Sequence, residues 1–175
     1  MNPVSSRLKA IAITAAFFAL SALVLLAVVW GLAAAPFPVP FGNALSGYRP
    51  HDTVATLSDL RLPATLTAAF LVAFSLVLVV SSAYLDKMIA IFADVLLMLM
   101  AALAGFVAGY WVLLRLAGYE NFIGLGFLQA AIVSPIIVFA VSLVSPSWLR
   151  SSLLLRALAI LVLLIAAPIM LTALS

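Results

Sequence analysis

Residues 88–114 read MIAIFADVLLMLMAALAGFVAGYWVLL, and Asp94 is the one acidic or basic side chain among them. A membrane span needs about 20 predominantly apolar residues. A soluble helix of this length would carry a polar face, whereas this one is hydrophobic all round. The stretch therefore reads as a transmembrane helix. Working outward, the remainder of the chain repeats the pattern: 68% of its 175 residues are hydrophobic, 7% are charged, and mean hydropathy is +1.40. Such a composition fits a chain whose solvent is lipid.

Five stretches qualify as spans: Ala10–Ala35, Pro63–Tyr84, Met88–Leu114, Phe122–Val144 and Ser152–Leu174. The links between the last four are only a few residues long, so consecutive helices pack antiparallel. The expected fold is an all-α membrane protein, a compact five-helix bundle forming one domain over residues 1–175, with an outer loop over 36–62. The first stretch imitates a signal peptide, with Arg7 and Lys9 ahead of it and Ala33-Ala34-Ala35 behind. Its apolar run exceeds the 7–15 residues of a signal core. It is read as a retained span.

Orientation follows from the basic residues. With the N-terminus in the cytoplasm, Arg7, Lys9, Lys87, Arg150 and Arg156 lie inside, and Arg49, Arg61 and Arg115 lie outside. Trp30, Tyr110 and Trp111 then fall near outer helix ends, Tyr84 and Trp148 near inner ends, where amphipathic rings prefer to sit. The expectation is N-terminus in, C-terminus out, in a bacterial inner membrane.

Composition excludes several chemistries. Without cysteine there is no disulfide, thiolate metal site or thiol nucleophile. One histidine, His51, leaves no bis-histidine ligation within the chain. A membrane aspartyl protease needs two intramembrane acids, and only Asp94 is present. No GxSxG, P-loop, EF-hand or HExxH occurs. No metal and no cofactor are expected. The basic residues are scattered at span ends, so the net charge of +3 reports topology and no nucleic-acid partner is expected.

Few residues remain to carry function. Asp94 costs about 2.5–3.5 kcal/mol to place in a span, so it is expected to face the bundle interior or another chain. Arg156 enters the last span from the same side and is its candidate ion-pair partner; the alternative makes Asp94 a proton or cation site. Ala101, Gly105, Ala108 and Gly109 form a small-residue stripe containing a GxxxG element, expected at a helix–helix contact. Spans one and five, lined with Leu, Val and Ile, are expected to tolerate changes such as Leu163→Val. Pro135 and Pro168 each remove a backbone donor and are expected to kink their helices. In the outer loop, Tyr48, Arg49, His51, Asp52, Asp59 and Arg61 form a candidate docking surface. An amphipathic turn is expected there over Thr53–Leu60, with Asp52 as its cap and Val54, Leu57 and Leu60 on one side.

In size and apolar content the chain is comparable to the small membrane subunits that accompany larger transporters or respiratory assemblies, though no motif narrows that class. The functional expectation is a non-catalytic accessory or assembly subunit that binds lipid and other membrane subunits. The second reading is a small transporter or channel component with Asp94 in its pathway, and an enzyme is the least supported.

Overall fold

The computed structural model describes residues 3–36, 50–59, 61–118, 120 and 123–173, and every element among them is helical. Five helices are long and apolar enough to cross a membrane. These are α1 (Pro3–Ala33), α3 (Leu62–Val79), α4 (Ala83–Leu116), α5 (Leu125–Ser142) and α7 (Leu153–Ala173). Two short helices, α2 (Pro50–Asp59) and α6 (Pro146–Leu149), lie between them. The chain is a multi-pass membrane protein on this evidence.

Helix limits depart from the limits of hydropathy where polar residues stay helical or break the chain. α1 begins at Pro3, a residue suited to a first turn, and takes Arg7 and Lys9 into the helix. α3 stops at Val79, short of the expected Tyr84. Val80 is extended (φ −99°, ψ 114°), and the Ser82 carbonyl accepts the Asp86 N–H at 3.1 Å, so Ala83 and Tyr84 open α4 instead. Two consecutive serines, whose hydroxyls compete for backbone groups, mark that break better than apolarity does. At its far end α4 closes on Gly118, which takes φ +85° and donates its N–H to the Arg115 carbonyl at 3.1 Å. A left-handed residue at a helix C-terminus is most cheaply glycine.

The chain divides into two compact units. One comprises Met1–Asp59 with Ala101–Gly124, the other Leu60–Met100 with Leu125–Ser175. In the first unit α1 leaves most of its large side chains exposed. Ala22 and Leu26 of α1 are fully buried, whereas Ile13, Phe17, Leu20, Val24 and Val28 are more than half exposed. Lipid solvates such side chains as well as a core does, so close packing has to hold the helices together. α4 supplies the matching surface. A Cβ built on Gly105 would overlap the Ala15 carbonyl oxygen and lie 2.8 Å from its carbon and 2.9 Å from Ala15 Cα. One on Gly109 would overlap the Ala19 carbonyl oxygen and lie 2.9 Å from Ala22 Cβ. Backbone thus meets backbone where side chains are missing. α2 begins at Pro50, earlier than the turn expected from Thr53, so Asp52 sits within its first turn, where an acid complements the helix dipole. Val54 of α2 is fully buried.

In the second unit α3 is the central element. It packs on α7, α5 and α6, and its Phe70 ring lies 6.1 Å from Phe92 of α4. It buries Ala64, Thr67, Phe70, Leu71, Phe74, Ser75, Val77 and Leu78, while Thr65, Ala69, Val72 and Leu76 stay exposed along its remaining side. Thr67 and Ser75 satisfy their hydroxyls on the Pro63 and Val72 carbonyls of their own helix, at 2.8 Å and 2.7 Å. α5 and α7 contribute Phe127, Ala130, Val138, Leu163, Ala167 and Met170 to the buried set. Leu163, where a change to Val was expected to be tolerated, is 8% exposed.

Candidate functional site: an arginine-capped helix end

The end of α3 concentrates the polar chemistry of the second unit. A helix terminates with carbonyls that have no partner within it and with a partial negative charge. At α3 these carbonyls meet two guanidinium groups. Arg150, at the C-terminus of α6, donates from Nη1 to the Val77 and Val80 carbonyls at 3.1 Å and 3.4 Å. Its Nη2 donates to Asp86 Oδ2 at 2.5 Å. Arg156, in the first turn of α7, donates from Nη2 to the Val79 carbonyl at 2.7 Å.

Arg150 is thereby a three-way tie. It caps α3, neutralises an acid in the first turn of α4, and anchors the link between α5 and α7. Both members of the ion pair are largely buried, with side chains 12% and 24% exposed. Such a pair holds its geometry well, and losing one member strands the other in a poorly solvated place. Asp86 Oδ1 is buried and has no hydrogen-bond partner among the described residues. Around the cluster Ser145 and Ser147 share a hydroxyl hydrogen bond at 2.6 Å, and Trp148 is exposed, as interfacial rings are.

The residues singled out from sequence are placed as follows. Arg156 is hydrogen-bonded to the end of α3 and not to Asp94, because its side chain reaches back to carbonyls at its own level. Asp94 is exposed, on a side of α4 shared with Ile91 and Val95, which are also exposed. Two turns separate it from Asp86, about 12 Å of helix rise. Ala101, Gly105 and Gly109 are buried, whereas Ala108 is exposed. The buried stripe therefore advances by four residues, and Ala108 falls outside it. α5 continues through Pro135 and α7 through Pro168. Ser134, just before Pro135, is fully buried, and its hydroxyl has no hydrogen-bond partner among the described residues.

Of the outer-loop candidates, Tyr48 and Arg49 lie outside the described residues, while His51 and Asp59 belong to α2. Asp52 and Arg61 are exposed, and the Arg61 carbonyl accepts both the N–H and the hydroxyl of Thr65 at 3.0 Å. Among the described residues no group of three or more His, Cys, Asp or Glu side chains could hold a metal ion.

Two features escape a reading by composition. The Asp86–Arg150 pair joins an arginine that charge counting assigns only to topology to an acid that the sequence reading passes over; their shared place beside short links between spans is the signal that could have paired them. The Ala15, Ala19 and Ala22 stripe is hidden in a helix whose mean character is that of its Leu, Val and Phe. No protein-family description matches the chain, no curated protein is similar to it, and no solved structure resembles it.

Proposed function

We propose that this protein is a non-catalytic accessory subunit of a larger bacterial inner-membrane complex, with its N-terminus and the Arg150–Arg156 end in the cytoplasm. One observation carries the reading. The buried polar groups among the described residues are chiefly hydroxyls, those of Thr67, Ser75, Ser134 and Tyr110, with the largely buried Asp86–Arg150 pair at a helix end; Thr67 and Ser75 are spent on their own helix. A pathway for ions or polar solutes needs groups at successive depths that can replace water. This interior is built for packing. The orientation is supported by Arg7 and Lys9 near the start of α1, Lys87 near the start of α4, and Arg150 and Arg156 about the α5–α7 link.

Affinity purification from native membranes in mild detergent, followed by mass spectrometry, tests the proposal. A stoichiometric set of membrane proteins that co-elutes with the chain is the expected result. Ion or solute flux through liposomes containing only this chain, abolished by Asp94→Asn, would replace it with the transporter reading.

A further inference from the structure

α3 and α7 enclose an open groove of about 590 Å³, within the ~300–1,000 Å³ of ligand clefts. Ala69, Ala73 and Leu76 wall it on α3, and Leu164, Pro168 and Leu171 wall it on α7, with Thr65 at the far end. Its width has a local cause: alanines on one helix face a proline on the other, so neither fills the space between them. The groove runs from Thr65 to Leu76, about 16 Å of helix rise. That matches one leaflet of hydrocarbon, half of a core about 30 Å thick.

Beyond Leu76 the same side of α3 reaches Val79, whose carbonyl holds Arg156. Arg156 precedes Leu164 by two helical turns and so lies on the groove's side of α7. One of its N–H groups is engaged by Val79; a guanidinium carries five, and the others have no partner among the described residues. An apolar channel one leaflet long thus ends at a cation with donors to spare. We propose that this groove is a binding site for an anionic phospholipid, its acyl chain between α3 and α7 and its phosphate on Arg156. A planar fork of donors suits a phosphate, and basic sites between membrane helices bind anionic headgroups. A helix from a second copy would fill the apolar channel but supply no anion to the arginine.

The test uses the purified protein in detergent, mixed with equimolar phosphatidylglycerol and phosphatidylcholine of identical chains and analysed by native mass spectrometry. The expected result is one retained lipid per chain, with phosphatidylglycerol preferred about 5-fold. Arg156→Gln should equalise the two lipids while still retaining one, and Arg156→Lys should keep the preference. Ala73→Phe, which fills the groove and leaves the arginine, should abolish retention of both. If Arg156→Gln does not fold, Arg156→Lys and Ala73→Phe still decide the matter. Equal retention by the unaltered protein, or a preference that survives Arg156→Gln, would overturn the proposal. So would a disulfide-linked dimer of Ala69→Cys in membranes, because the chain has no other cysteine and the bond would place a second copy in the groove.

Discussion

Gly105 and Gly109 meet α1 through bare backbone, whereas the end of α3 is met by two guanidinium groups. The first contact is backbone laid against backbone. Its strength comes from dispersion over a surface that fits only because side chains are missing, so any added atom must displace a helix. The second is directional and polar, with each donor aimed at a named carbonyl, and a different donor could partly replace it. One contact fails by obstruction and the other by loss. Lipid explains why both exist: it gives helices little hydrophobic reason to associate, and it leaves exposed helix ends poorly solvated.

The sharpest way to break this contrast is Gly105→Leu. The added side chain would occupy the Ala15 backbone, and overpacking of this severity costs about 3 kcal/mol or more. Unfolding in detergent, followed by tryptophan fluorescence, should show a protein that melts far below the original or does not fold. An unchanged melt would mean that α1 does not lie on Gly105. Arg150→Ala comes next. It removes three hydrogen bonds and leaves Asp86 without its counter-charge, an expected loss of about 2–3 kcal/mol for a pair that is not fully buried. Arg150→Lys should recover part of that loss, because one ammonium cannot serve both the carboxylate and the carbonyls. Full recovery would show that charge alone matters at this end.

Two smaller effects sharpen the comparison. Leu163→Val is expected to cost about 1 kcal/mol, since the side chain is buried. Leu161→Val, on an exposed side of the same helix, should stay within about 0.5 kcal/mol. Equal effects in the same melting assay would contradict the burial of Leu163. The smallest expected quantity is a coupling energy. Because Arg156 is bound to Val79, Asp94→Ala and Arg156→Leu should add to within about 0.5 kcal/mol in a double-mutant cycle. A larger coupling would mean that the two residues pair after all.

The five spans were legible because length and apolarity are what a bilayer demands of a helix, and both are local properties of sequence. The end of α3 was not, since Val80 and Ser81 belong to an apolar run by hydropathy and interrupt it by backbone conformation. The glycine spacing in α4 marks where a backbone can approach. It does not name the helix that does, because Ala15 and Ala19 each lie ninety residues before the glycine they meet. The arginines were legible as charges and not as caps. Their role depends on the α5–α7 link returning to the level of α3, which no spacing within the sequence states.

α4 has a consequence for the membrane itself. Its apolar part, Met88–Leu114, rises about 40 Å as a helix against a hydrocarbon core of about 30 Å. Lys87 and Arg115 flank that part, so neither end slides freely into lipid. A tilt near 40° would absorb the whole excess, at the limit of what spans commonly adopt; at a smaller tilt the surrounding bilayer thickens or the exposed Asp94 end stands among headgroups. The protein is therefore expected to be sensitive to acyl length. It should be most stable among long-chain lipids, strain a thin bilayer around itself, and collect where the membrane is thickest.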